Sequence, residues 1–227
     1  MGNNIQLISL HIPKTAGTSF RNTLKDIYGE EAIIQLDIHH KNNNIKINAQ
    51  RADSVELRKK HLVVHGHFSP LSLKSTLTIT PDIPYITWLR DPVDRVISNY
   101  YYLEKRLEEE LMEEAKGLNI LSKMQRTLLE FAHADKNRNR ISKFLEGMSL
   151  DQFLFVGITE HYSEDLKDLS ELLGWKNFQE FHHNITGNSR KNVSQEDREI
   201  IRQLNLKDEE LYAKALSMRL DRKSEAM

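Results

Sequence analysis

Short apolar runs alternate with amphipathic stretches along most of the chain. Four of these runs predict buried strands, at residues 5–12, 61–65, 85–89 and 153–158. Three of the stretches that follow them have helical spacing and begin near Ser19, Pro92 and Ser163. Strands that alternate with helices predict an α/β fold, in which a central, mostly parallel sheet is flanked by helices on both faces.

Two regions depart from this alternation. Residues 104–150 begin with a charge-dense stretch of helical propensity and continue into the basic tract 136–140, so they predict a helical insertion between sheet elements. Residues 194–220 predict two amphipathic helices that are broken near Asn205. Because no internal repeat or interdomain linker is evident in 227 residues, we expect a single domain over residues 1–227.

Composition limits the chemistry that the chain can perform. It contains no cysteine, which excludes disulfides, thiolate metal sites and cysteine nucleophiles. Its formal net charge of −1 argues against a nucleic-acid partner, because such proteins carry a basic excess, but it leaves room for a local basic pocket. The sequence has no signal peptide and no apolar run of about 20 residues, so we expect a soluble, cytoplasmic protein without a transmembrane segment.

The segment HIPKTAGTS, residues 11–19, joins the first predicted strand to the first predicted helix. Backbone N–H groups and the dipole of a helix N-terminus favour an anion at such a junction. Lys14 adds a positive charge, while Ala16 and Gly17 allow an anion to approach the backbone. Hydroxyl donors are available from Thr15, Thr18 and Ser19. The segment therefore predicts a phosphate or phosphosulfate site, although small residues with hydroxyl groups also form plain helix caps.

This loop differs from the loop of nucleotide triphosphatases. In that pattern the lysine directly follows the last glycine, whereas Lys14 precedes Gly17.

Arg90 is a second candidate for anion binding, because it ends the third predicted strand. Ligands of open α/β sheets bind beyond the carboxyl ends of the strands. The Arg90 guanidinium can contact a phosphate through two parallel hydrogen bonds. Ser98, about two turns into the following helix, can add a hydroxyl donor.

Together these segments resemble those of the sulfotransferase superfamily, in the carbohydrate branch that includes heparan sulfate 2-O-sulfotransferases. The loop at Lys14 is similar to the family's 5′-phosphosulfate loop, and LRDPVDRVIS at residues 89–98 is similar to its 3′-phosphate segment. His65-Gly66-His67 resembles the His-x-His element of this branch. Residues 189–192 and the helices after them resemble its C-terminal region, which closes over the cofactor.

The resemblance implies a P-loop-like, three-layer fold that transfers a sulfuryl group from 3′-phosphoadenosine 5′-phosphosulfate to a hydroxyl group. The expected product is adenosine 3′,5′-bisphosphate, no metal is expected, and the acceptor is a carbohydrate, a glycolipid or a small molecule. It implies that the 5′-phosphosulfate is bound by Lys14, Thr15, Ala16, Gly17, Thr18 and Ser19, and the 3′-phosphate by Arg90 and Ser98. Arg190 and Lys191 are expected to contact the cofactor or the acceptor.

Transfer to a hydroxyl group requires a base, and histidine is the usual choice near neutral pH. We assign His67 as the catalytic base. His65 lies two residues earlier and faces the same side if the strand continues, so we expect it to orient the acceptor or share the proton. Lys14 is the third expected catalytic residue, because it can stabilise charge on the leaving phosphate. A metal-binding or purely structural role for the two histidines is the alternative.

Two other functions are compatible with the same fold. A nucleotide-dependent kinase would require magnesium, and the position of Lys14 argues against it, as does the lack of an acidic metal ligand after a predicted strand. A non-catalytic nucleotide-binding protein is the other alternative. The adjacent pairs His39-His40 and His182-His183 are predicted to be surface or loop residues.

Overall fold

The fold is a seven-stranded sheet with helices on both faces, in a computed structural model that describes residues 4–39, 44–111, 126–181 and 193–225. The strands are β1 (Leu7–Leu10), β2 (Ile33–Ile38), β3 (Ile45–Ile47), β4 (Gln50–Ala52), β5 (Val63–Gly66), β6 (Tyr85–Leu89) and β7 (Phe155–Ile158). Their order across the sheet is β4-β3-β2-β5-β1-β6-β7. Strands β2, β5, β1, β6 and β7 run parallel to one another. Strands β3 and β4 extend the β2 edge of the sheet and are antiparallel.

The described helices are α1 (Gly17–Tyr28), α2 (Pro70–Thr76), α3 (Pro92–Leu111), α4 (Leu128–His133), α5 (Arg140–Phe144), α6 (Tyr162–Leu173), α7 (Gln195–Gln203) and α8 (Leu206–Glu225). The predicted helices after the first, third and fourth strands are confirmed as α1, α3 and α6. The two predicted C-terminal helices are α7 and α8, which meet at Asn205.

Adjacent residues of the central strands enter two different cores, which establishes the three-layer arrangement. Leu7 of β1 packs with Phe20 and Leu24 of α1 and with Leu166 of α6. Its neighbour Ile8 belongs to the opposite core. That core also contains buried residues of α2, α5 and α8, namely Leu73, Ile141, Phe144 and Ala215. The expected α/β fold, with a mostly parallel sheet between helical layers, is therefore confirmed.

A third cluster lies away from the sheet. Val93 and Ile97 of α3 pack there against Phe131 of α4 and Ile201 of α7. Helices α4 and α5 lie within the predicted insertion at 104–150, of which residues 112–125 lie outside the described part of the chain. The single-domain organisation and the boundaries of this insertion stay predictions.

Helix α8 is attached to β7 and to α5 through buried carboxylates. Asp165 of α6 accepts hydrogen bonds from the Ile158 backbone N–H and from Arg219 Nε of α8, both at 2.7 Å. Asp208 of α8 accepts the backbone N–H groups of Ile141 and Ser142, each at 2.9 Å. These contacts fix α8 beside β7, where its side chains can reach the carboxyl edge of the sheet.

Candidate active site

A cavity of about 700 Å³ opens at the carboxyl edge of β1, β5 and β6. Its described lining combines the loop after β1, residues just beyond β5, β6 and β7, and one face of α3. Of the predicted site residues, the cavity is lined by Lys14, Ala16, Gly17, Thr18, Ser19, His67, Arg90 and Ser98. The structure therefore brings most of the candidate residues together in one place, as expected for an open α/β sheet.

The loop after β1 is shaped to receive an anion. Lys14 and Ala16 both have positive φ angles, of 74° and 62°, a conformation that turns backbone N–H groups toward one side of a loop. Helix α1 begins at Gly17, and its N-cap residue, Ala16, makes no side-chain capping hydrogen bond. The orphan N–H groups of a first helical turn require a partner, and an anion in the cavity is a suitable one.

Thr15 has a different role from its neighbours in this loop. Its hydroxyl group donates to the Ile12 carbonyl oxygen at 2.8 Å, and the residue is only 1% exposed and does not line the cavity. Its hydroxyl group therefore stabilises the turn, and a contact between Thr15 and the cofactor stays a prediction.

We expect Thr15→Val to lower the free energy of unfolding by about 1 kcal/mol, because the buried Ile12 carbonyl loses its hydrogen bond. Thr18→Val is the matched control, since Thr18 is exposed and its substitution should change stability by less than about 0.5 kcal/mol. Urea denaturation of the two variants measures the difference. Equal stability of both variants would show that the Thr15 hydroxyl does not stabilise the turn.

His11 is a site residue that the sequence analysis did not single out, although it lies within the loop motif. Its ring lines the cavity and fills the space beside Gly17, where an added Cβ would lie 1.8 Å from His11 Nε2. The ring centroid lies 4.3 Å from that of His67 and 5.4 Å from that of His65. Burial, aided by the neighbouring histidines, lowers the pKa of His11 well below its usual range and so favours the neutral ring.

Arg90 lies where the sequence placed it, directly after β6 and largely buried. Its Nη1 donates to the Lys14 carbonyl oxygen at 3.3 Å, and its Nε lies 3.8 Å from Glu160 Oε1. The buried Nε has no hydrogen-bond partner within the described residues, so the guanidinium retains donor capacity. Ser98, one of the buried residues of α3, lines the same cavity.

Glu160 was also missed by the sequence analysis, although it follows the carboxyl end of β7 as Arg90 follows that of β6. Its Oε1 accepts the Asp91 backbone N–H at 3.1 Å, and its Oε2 accepts the Tyr212 hydroxyl of α8 at 3.1 Å. Burial raises the pKa of Glu160 in spite of these hydrogen bonds and the nearby Arg90 charge. Glu160 therefore links the backbone next to Arg90 to the C-terminal helix α8.

His67 is paired with a carboxylate from the neighbouring strand. Asp37 of β2 lies with Oδ1 2.8 Å from His67 Nδ1, and the same oxygen accepts the His67 backbone N–H at 3.0 Å. Burial opposes ionisation of Asp37, but its hydrogen bonds with His67 outweigh that effect and lower its pKa. An ionised Asp37 favours the tautomer with the proton on Nδ1, which leaves Nε2 as a proton acceptor.

His65 is placed differently from His67. It is 2% exposed, does not line the cavity, and has its Nδ1 2.9 Å from the Ser9 hydroxyl. Burial and the charge of His67 lower the pKa of His65 to about 3. The ring lies behind His11, so the direct contact with an acceptor that was expected for His65 has no support in this geometry.

Some predicted residues lie outside the described part of the chain, and two other predictions concern a metal site and a membrane-spanning helix. Arg190, Lys191 and the pair His182-His183 lie outside the described part of the chain. Within the described ranges, no group of three or more His, Asp or Glu side chains is arranged to bind a metal ion. None of the described helices is long and apolar enough to cross a membrane.

Comparison with known proteins gives consistent matches. A family model described as "Sulfotransferase family" matches residues 1–216. Heparan sulfate 2-O-sulfotransferase 1 of Cricetulus griseus is 32% identical over 108 residues, which cover 44% of this chain and 30% of that protein. The Homo sapiens protein of the same name is 32% identical over 105 residues, covering 43% and 29%. The matched region thus spans under a third of the length of these relatives.

Two solved structures are also similar. A sulfotransferase from Alicyclobacillus acidocaldarius has a TM-score of 0.48 at 15% identity and covers 93% of this chain and 95% of that one. Mouse sulfotransferase SULT7A1 complexed with PAP has a TM-score of 0.42 at 11% identity, with 90% and 66% covered. Because the family model matches nearly the whole length, this chain belongs to the sulfotransferase family.

Proposed function

We propose that this protein transfers a sulfuryl group from 3′-phosphoadenosine 5′-phosphosulfate to a hydroxyl group of a carbohydrate. The observation that carries the proposal is the convergence of three groups on one cavity. These are the N-terminus of α1 with Lys14, the Arg90 guanidinium, and the Asp37–His67 pair. Two basic anion sites beside a histidine base meet the needs of sulfuryl transfer.

The donor set fits a nucleotide that carries two separate anionic groups. We assign the 5′-phosphosulfate to Lys14 and to the first turn of α1, through the backbone N–H groups and hydroxyls at Thr18 and Ser19. Arg90 and Ser98 are assigned to the 3′-phosphate, because both line the cavity and the Arg90 Nε makes no hydrogen bond among the described residues. Arg190 and Lys191 stay predicted contacts to the donor or acceptor.

When bound, the donor supplies an activated sulfuryl group whose departure leaves adenosine 3′,5′-bisphosphate. His67 removes the proton of the acceptor hydroxyl through Nε2, and Asp37 stabilises the imidazolium that this produces. Lys14 places its positive charge near the phosphate that gains negative charge. The His11 ring packs against His67 and against His65, with centroid separations of 4.3 and 5.4 Å.

A carbohydrate acceptor is proposed because the relatives of this chain include enzymes whose names specify heparan sulfate as substrate. A glycolipid and a small hydroxyl compound are the alternatives. The cytoplasmic location expected from the sequence stays a prediction.

Binding of the product tests this proposal. We expect calorimetry to detect adenosine 3′,5′-bisphosphate with micromolar or tighter affinity in buffer that contains a metal chelator, because Arg90 and the α1 loop each bind one phosphate. ATP with magnesium, in buffer without the chelator, is the comparison ligand, and preferential binding of that complex would favour a kinase. Absence of bisphosphate binding would contradict the sulfotransferase proposal, and binding without transfer to any hydroxyl acceptor would favour a non-catalytic nucleotide-binding protein.

A further inference from the structure

Helix α3 lines the cavity beyond Ser98, with Asn99, Tyr102 and Arg106 on the same side. This spacing of three and four residues follows one face of a helix. Tyr102 makes a specific contact there, because the Lys14 Nζ lies 3.9 Å from the centroid of its ring. We propose that Tyr102 is a positioning residue that orients the Lys14 ammonium group for the transfer step. The role in transfer rests on the proposed function, whereas the contact itself does not.

Lys14 is constrained at both ends in this arrangement. Its backbone has a φ of 74°, which is unfavourable for a residue with a Cβ, and its carbonyl oxygen accepts Arg90 Nη1. Its ammonium group lies over the Tyr102 ring. A lysine side chain loses considerable rotamer freedom when it is ordered, so a contact that orders it before the donor binds lowers the cost of placing its charge.

An aromatic ring suits this task better than a carboxylate. A carboxylate would form an ion pair and neutralise the charge that Lys14 must present to the leaving phosphate, whereas a ring attracts the ammonium group and leaves its charge in place. The carboxylates of the described cavity lining are engaged by other donors. Asp94 pairs with Arg198 at 2.7 Å, and Glu160 accepts hydrogen bonds from the Asp91 backbone and from Tyr212.

The contact can be tested without any assay of activity. Reductive methylation with a ¹³C label retains the charge of lysine, and the methyl resonance of Lys14 should be shifted upfield by the Tyr102 ring. Lys14→Arg identifies that resonance by its disappearance. We expect Tyr102→Leu to abolish the upfield shift and the matched variant Tyr102→Phe to retain it. An unchanged Lys14 resonance in Tyr102→Leu would overturn the proposal. Tyr102 is 41% exposed, and circular dichroism checks that both variants remain folded.

Kinetics then test the functional consequence. We expect Tyr102→Leu to lower kcat by about two- to fivefold, the value of a cation–π contact at an exposed site, with little change in KM for the acceptor. Tyr102→Phe should restore kcat, because the ring face is what attracts the ammonium group. If kcat is unchanged in Tyr102→Leu while the resonance moves, the contact does not serve transfer and the proposal fails. Failure of the wild-type protein to bind the bisphosphate would instead contradict the proposed function, while the resonance would still report the contact.

Discussion

Replacement of His67 by alanine is expected to lower turnover by about a thousandfold, while the fold and the affinity for adenosine 3′,5′-bisphosphate are retained. General-base catalysis contributes about 10²–10⁴ to the rate, and the proposed base is the cavity-lining histidine whose Nδ1 is bound by Asp37. Steady-state kinetics at saturating donor measure the loss, and calorimetry with the bisphosphate measures the binding. Because His67 is partly exposed, its truncation should leave the core intact.

The partners of His67 provide the controls. Asp37→Asn keeps the size of the side chain but removes its charge, and it is expected to lower turnover by about tenfold to a hundredfold through loss of the favoured tautomer and of imidazolium stabilisation. Adding Asp37→Asn to His67→Ala should have little further effect, because both act through one imidazole. Glu160→Gln tests a carboxylate that lines the cavity itself. A thousandfold loss of kcat in that variant, with turnover retained in His67→Ala, would transfer the role of base to Glu160.

The pairing of Asp37 with His67 illustrates what the sequence could not supply. Strands β1, β5, β6 and β7 are apolar runs, and the sequence predicted all four of them. Strand β2 alternates more polar positions with apolar ones and was not predicted. The parallel register aligns Gln35 with His65, so Asp37 falls beside His67, although the two are 30 residues apart in the chain. That proximity depends on strand order, which local sequence patterns do not determine.

His65 was expected to contact the acceptor, but it does not line the cavity, and the reason is local. Residues two apart in a strand face the same side only while the strand continues. Strand β5 ends at Gly66, whose hydrogen faces the Leu36 carbonyl oxygen so closely that an added Cβ would lie 2.0 Å from it. This close approach to β2 brings His67 to Asp37, whereas His65 stays within the strand and is buried beside Ser9.

Hydroxyl groups in the loop show a similar limit. The residue types of the motif predicted an anion site, and the helix N-terminus that follows two positive φ angles has the expected form. Composition did not distinguish Thr15, which donates within the turn, from Thr18, which lines the cavity. That difference depends on the direction of each side chain relative to the turn, and therefore on backbone angles that the sequence does not specify residue by residue.

Replacement of Arg90 by alanine is expected to weaken binding of adenosine 3′,5′-bisphosphate by about a hundredfold. The guanidinium is largely buried, and its Nε makes no hydrogen bond among the described residues. A phosphate bound there therefore gains charge-assisted hydrogen bonds worth about 1.5–3 kcal/mol. Calorimetry of the wild type and the variant measures the change.

Adenosine 5′-monophosphate is the control ligand, because it lacks the 3′-phosphate but retains the group assigned to the α1 loop. We expect Arg90→Ala to leave its affinity within about twofold of wild type, whereas Lys14→Ala should weaken both ligands. Arg90 also donates to the Lys14 carbonyl oxygen, so a loss of affinity for both ligands in Arg90→Ala would mean that Arg90 acts by shaping the loop. Arg90→Lys separates charge from geometry, since lysine keeps the charge but cannot make two parallel hydrogen bonds. If Arg90→Ala binds the bisphosphate with full affinity, the 3′-phosphate is bound by another part of the cavity.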